Sequence, residues 1–275
     1  MLAQTLMTEP DDTFDLDAYF RRIGYAGARA PSRATLDALH LAHATHIPFE
    51  NLDILLGRPI RLDLASVQAK LVAGRRGGYC FEQNRLFAAA LEALGFAVTP
   101  LAARVRFGTT SILPRTHMTL QVEVDGDRVL ADVGFGIHGL LLPVSLAQAA
   151  EARQFAWTYR VAEDAGLRVL QLRTGGAWID LYAFTLERHF AVDYEMANHY
   201  TSTHPSSRFV QTLIAQRSAT DVRRMLRDRD YSEHRGDIVT RRTLADDEEV
   251  LDVLADRFDL RFPRGTRFRT RPASG

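Results

Sequence analysis

Cys80 is the only cysteine among 275 residues, and it stands in RRGGYCFEQNR, residues 75 to 85. The stretch after it, EQNRLFAAALEAL, has a helical pattern, which sets the thiol at the start of a helix. Exposed amides at such a start carry partial positive charge and favour a thiolate. The same amides, with the flexible Gly77-Gly78 pair, could line an oxyanion site, and Arg75 and Arg76 add positive potential. A lone cysteine is also an ordinary buried filler. What separates the two readings is a base, and an acid to orient it.

Nine histidines compete for the role of base: 40, 43, 46, 117, 138, 189, 199, 204 and 234. His117, in PRTHMTLQV, heads a strand, and Asp132, in LADVGFG, ends the next one. Between them Asp125-Gly126 is a two-residue hairpin signal. With the turn there, position 117 lies across from about 133 or 134, so His117 and Asp132 come within side-chain reach. They are the best base and orienter on the chain; a structural His–Asp bond is the alternative.

His40, His43 and His46 do not make a metal site on this pattern. Residues 40 and 43 share a helix face, 46 is rotated away, and no acid stands at a helical zinc-motif spacing. Packing and hydrogen bonding at a helix end suit them better. MANHYTSTHP and THPSS read as a polar loop of turn formers. GRRGG and TGG match neither a P-loop nor a dinucleotide fingerprint. One cysteine excludes an internal disulfide and any multi-cysteine zinc or iron–sulfur site.

The elements that must hold these groups change character along the chain. Residues 1 to about 12 read as a mobile acidic tail. From there to about residue 95 the period is helical, with Ser32 as an N-cap and Gly74 and Gly95 as closers. After Gly95 alternation sets in, with at least four strands joined by short turns up to about residue 200. The last 70 residues are mixed and include a helical DDEEVLDVLADRF. This is an α+β arrangement. Arg plus Lys (34) balances Asp plus Glu (34), which gives no general attraction to nucleic acid or an anionic membrane. The N-terminus lacks the basic start and apolar run of a signal peptide, so the expected location is the cytoplasm.

RRGGYCFEQN, THMTLQV, LADVGFG and NHYTSTHPSSRF, in this order, resemble the arylamine N-acetyltransferase family. IPFENLDILLG and the opening DLDAYFRRIGY resemble it too, so the likeness runs from about residue 14 to 210. It implies an N-terminal helical bundle (1–95) carrying Cys80, an antiparallel β-barrel (96–205) carrying His117 and Asp132, and a C-terminal α/β lid (206–275). It implies a cysteine-protease-like Cys80–His117–Asp132 triad, with Phe49 and Phe135 walling the acceptor pocket. The implied reaction is ping-pong transfer of an acetyl group from acetyl-CoA, as co-substrate, to a small aromatic amine or hydrazine, in the setting of xenobiotic metabolism. No permanently bound cofactor, metal, nucleic acid or membrane partner is expected, and the chain would act as a monomer or homodimer. A related amide synthase, an acyltransferase with another donor and a cysteine hydrolase are the alternatives. One stretch departs from the family: in IHGLLLPVSL, Ile137 replaces a glycine and Leu140 a proline, in the loop that would border the donor's cleft.

Overall fold

The computed structural model describes residues 14–147 and 150–270, so the acidic tail expected over residues 1 to 12 lies outside the described residues. Asp15, Ser32 and Asp63 each accept the amide three residues on, at 2.8, 3.3 and 2.9 Å, and so open three helices. These are α1 (Leu16–Ile23), α2 (Arg33–His46) and α4 (Leu64–Gln68). Strand β1 (Phe49–Glu50) and one turn of helix, α3 (Leu52–Leu55), lie between the second and third. A π-helical turn, Ala69–Ala73, carries α4 on to Gly74. Then comes α5 (Cys80–Ala93), the helix foreseen after the cysteine. Its Leu86, Phe87 and Leu91 pack with Tyr19, Ile23, Leu36 and Leu39 in the first core, where Leu120 and Val122 of the following sheet join them.

That sheet contains β2 (Ala97–Val105), β3 (His117–Val124), β4 (Asp127–Ala131) and β5 (Val144–Ser145). It continues with β6 (Ala152–Gln154), β7 (Trp157–Asp164), β8 (Leu167–Thr174) and β9 (Ala177–Phe184). All pairs are antiparallel, in the order β5-β4-β3-β2-β9-β8-β7-β6, and β5 comes back against β7, so the sheet nearly closes into a barrel. Leu101, Tyr159, Leu172, Tyr182 and Phe184 fill a second core. The β3–β4 hairpin turns at Asp125 (φ 52) and Gly126 (φ 82), the pair of positive φ values that a tight two-residue turn demands. Its register pairs Leu120 with Ala131, which carries His117 opposite Gly134, as the spacing indicated.

The polar loop expected around residues 196–206 is instead mostly helix, α6 (Ala191–Thr203). The hydroxyls of Thr201, Ser202 and Thr203 bond back to carbonyls four residues earlier, so residues that favour turns are absorbed into the helix. Asn198 fixes it to the helical region by donating to the Ile60 carbonyl at 3.0 Å. After a short α7 (Arg208–Gln211) come β10 (Ile214–Ser218), β11 (Arg223–Arg227), β12 (Asp230–Arg235), β13 (Ile238–Thr243) and α8 (Asp247–Phe258). These four strands form a second sheet whose far edge is β1, in the order β1-β10-β11-β12-β13. Leu226, Tyr231, Leu251, Leu254 and Phe258 make its core with α8. Helices beside an eight-stranded antiparallel barrel make the fold α+β.

Candidate active site

Cys80 is the first residue of α5 and is only 4% exposed. The turn before it is set by close approach rather than by flexibility. A Cβ on Gly77 would stand 2.1 Å from the Pro48 carbonyl oxygen, and one on Gly78 would stand 2.7 Å from the Glu82 carboxylate. The Gly78 carbonyl accepts the Glu50 amide at 3.0 Å, which ties the turn to β1. Glu82 reaches back to accept the Tyr79 amide at 3.1 Å, and Lys70 holds the same carboxylate at 2.7 Å. Arg75 and Arg76 do not lend the thiol free positive charge. Arg76 is taken by Glu50 (2.7 Å) and Asp53 (3.2 Å), and Arg75 points outward to Asp259 (3.1 Å).

His117 opens β3, and Asp132 lies one residue past the end of β4. The ring Nε2 meets the Asp132 Oδ2 at 2.7 Å, and the Cys80 thiol is near enough to help hold the ring's proton. The Sγ of Cys80 itself lies 3.6 Å from the Thr116 carbonyl. Cysteine, histidine and aspartate are thus brought together from three elements, in one buried row. Burial pulls the His117 pKa down, but the Asp132 charge and hydrogen bond, with Cys80, carry it up to about 10. Asp132 is fully buried, which would raise its pKa; the His117 ring and the bonds from Asn84 and the Gly134 amide hold it below the usual carboxylate range. The imidazolium is the favoured state of this ring.

Asn84 and Tyr182 escaped the sequence reading, and so did the part that His40 plays at Asp132. Asn84 donates to the second carboxylate oxygen at 2.9 Å and to the Met118 carbonyl at 2.7 Å, and accepts the Val133 amide at 3.1 Å. It lies four residues after Cys80 on the same helix, hence on the same face, and that spacing was the available signal. His40 accepts the Asp132 amide on Nε2 (3.1 Å) and donates from Nδ1 to the Leu141 carbonyl (3.0 Å). Tyr182 packs its ring 4.7 Å from His117. The Gly134 position is closed to any side chain, because a Cβ there would stand 2.7 Å from the Cys80 Cα.

The helix-end histidines pack and bond, as read. His43 accepts from the Tyr19 hydroxyl (2.8 Å) and donates to Gln83 (2.7 Å), while His46 bonds the Ala42 carbonyl four residues back. The His138 and His234 rings lie near each other, with centroids 6.4 Å apart. Phe135 meets the His117 ring edge-on at 5.1 Å, and Phe49 packs against Phe209. Both line one cavity of about 20 Å³ beside Asp132, near the size of a single water. Of the two departures in the loop, Ile137 is buried and donates its amide to Gln216 at 2.8 Å, and Leu140 belongs to the barrel core while also walling that cavity.

A buried thiol, a charged imidazole and an acid in line suit nucleophilic acyl transfer. The profile of the N-acetyltransferase family matches residues 33–266. An arylamine N-acetyltransferase of Escherichia coli K12 is 39% identical over 248 residues, 89% of this chain and 88% of that protein. The solved structure of the Nocardia farcinica arylamine N-acetyltransferase, 41% identical, superposes with a TM-score of 0.86 over 92% of this chain and 95% of that one. That of the Mycobacterium marinum enzyme in complex with CoA, 36% identical, gives 0.85 over 90% and 93%. With its fold and nearly its whole length in common with these acyltransferases, the chain belongs to the arylamine N-acetyltransferase family.

Proposed function

We propose that the protein moves an acetyl group from acetyl-CoA to an arylamine or arylhydrazine by a ping-pong reaction through acetyl-Cys80, with no permanently bound cofactor and no metal. The single observation that carries this is the Cys80–His117–Asp132 row, with its 2.7 Å histidine–aspartate bond. The relative solved with CoA supports the choice of donor.

In the first half, the Cys80 thiolate attacks the thioester carbonyl carbon, and the developing oxyanion is met by amides at the start of α5 that have no helical acceptor. The C–S bond to coenzyme A breaks, and the departing thiolate takes the proton from the His117 imidazolium. In the second half, the amine nitrogen attacks the acetyl-cysteine, His117 accepts its proton, and the Cys80 thiolate leaves. Asp132 steadies the imidazolium throughout and keeps the ring in line. Phe49 and Phe135 wall the acceptor's place, and the one-water cavity between them must widen when an aromatic ring enters. An arylamine is uncharged near pH 7, which suits such walls. The segments 1–95, 96–205 and 206–275 supply the nucleophile, the base with its acid, and the cover in turn.

Intact-protein mass spectrometry with acetyl-CoA and no amine tests this. Wild type gains one acetyl group on Cys80 and releases it when an arylamine is added; Cys80→Ser does not accumulate it. Wild-type protein that never labels overturns the proposal, and label lost rapidly to water without amine replaces it with hydrolysis.

A further inference from the structure

Arg223, on β11, is 1% exposed and among the largest fully buried side chains. Its Nη2 donates to the Gly139 carbonyl (2.9 Å) and to the Tyr159 hydroxyl (2.6 Å), and its guanidinium lies 3.8 Å from the centre of the Trp157 ring. Its Nε and Nη1 have no hydrogen-bond partner among the described residues. The next residue shows the ordinary arrangement: Arg224, on the other face of the strand, pairs with Glu233 at 3.2 Å. A buried cation with no anion beside it is costly to keep, and an aromatic face offsets only part of that cost. The fold keeps such a cation here.

Two histidines stand beside it. His234 lies opposite Arg223 in the β11–β12 register, and the His138 ring is 6.4 Å from that of His234. Burial and the Arg223 charge push His138 down to about 4. His138 packs on Phe107 at 4.5 Å, and Phe107 walls an open groove of about 710 Å³ with Thr109, Thr110 and Ile179. Across β9, β8 and β7, Ile179, Leu172 and Tyr159 are direct partners, so the groove and the Tyr159–Arg223 pair share one face of the sheet. The groove's own cation, Arg106, is already taken by Asp164 (2.6 Å) and Asp180 (3.0 Å).

We propose that Arg223, with His138 and His234, forms an oxyanion-binding subsite at the far end of the cleft, reached from the groove when Phe107 moves off His138. The anion is a carboxylate or phosphate group carried by a substrate. Which substrate carries it rests on the acyl transfer proposed above; the binding of an anion does not. The Nε–H and the Nη1 N–H groups lie on different edges of the guanidinium, and each is a charge-assisted donor for an oxygen of such a group.

Calorimetric titration of the full-length wild-type protein with inorganic phosphate and with benzoate is the first arm. Saturable binding of at least one is expected, weakened about tenfold or more in Arg223→Met, as loss of a charge-assisted bond implies, and kept in Arg224→Met. Steady-state kinetics then locate the source. Arg223→Met raises KM for acetyl-CoA but not acetyl-pantetheine if the anion is a donor phosphate. It raises KM for an aminobenzoate but not for aniline if the anion is an acceptor carboxylate. No binding to wild type, binding unchanged in Arg223→Met, or KM raised alike for charged and neutral partners overturns the proposal. Should Arg223→Met fail to fold, His138→Gln and His234→Gln take its place, and unchanged binding in both is equally fatal. A wild type that binds the anion yet transfers no acetyl group leaves the subsite standing and removes the function.

Discussion

Three histidines are buried within one stretch of the molecule, and they end in opposite charge states. His40 and His43, on α2, hydrogen-bond through both ring nitrogens to neutral partners, and burial pushes them down to about 4 and about 3. His117 is as deeply buried, yet it rises to about 10 because Asp132 is 2.7 Å away, with Cys80 adding to the effect. Burial alone therefore makes a neutral ring, not a charged one. What sets His117 apart is one carboxylate buried with it, and His40 helps to hold that carboxylate's backbone. Asp132 divides its attention, with its side chain for one histidine and its amide for the other.

The sharpest way to break this contrast is Asp132→Asn. It should lower kcat about 10⁴-fold, as loss of the orienting acid does in other triads, and drop the His117 pKa toward that of its neighbours. Ring-nitrogen NMR titration reads the second effect. A variant that keeps a tenth of wild-type activity would mean that the carboxylate is not what separates the rings. Next in size is His40→Ala, which strands the Asp132 amide and the Leu141 carbonyl in the interior. Denaturant unfolding should show a loss of about 2–6 kcal/mol, two unpaired groups' worth, and a loss under about 0.5 kcal/mol would show that water or neighbours replace the ring.

The pH dependence of stability supplies the smallest and finest effect. His40 and His43 have folded pKa values below 6.5, so the folded chain binds fewer protons and their contribution is fully present above pH 6.5. Each erodes it by about 1.4 kcal/mol per pH unit as the pH falls toward about 4. His43→Gln should flatten that acid limb by one such slope in urea titrations at successive pH values. His117 runs the other way: its contribution is complete below pH 6.5 and is lost as the pH climbs to about 10. An acid limb unchanged in His43→Gln would mean that His43 is already protonated or solvated in the native state.

What could be read in the sequence was local. Ser32 as a cap, the Asp125-Gly126 turn and the helix after Cys80 each depend on a few neighbouring residues, and the hairpin register then delivered His117 to Asp132 by counting. The roles of Asn84 and His40 depend on partners 48 and 92 residues away, which no local period reveals. The same limit hid α6, whose polar residues look like a turn until Ile60 and the helix's own carbonyls are there to take them. Gly77 was read as a flexible residue for the same reason, because the Pro48 carbonyl that excludes a side chain comes from another element.

Strand β1 has a consequence for how the enzyme is made. Phe49 and Glu50 pair on one side with Gln216 and Ala215, and Phe49 bridges on the other with Gly78, two residues before Cys80. A ribosome releases residues 49 and 50 long before β10, with the whole barrel still to come. Until that late strand docks, the nascent chain holds an unpaired edge beside a turn that is missing half its support, and domains made in order leave such edges for last. The thiol's surroundings are thus completed by a strand in the last quarter of the polypeptide to emerge, so an unfinished chain presents a cysteine without the turn that holds it.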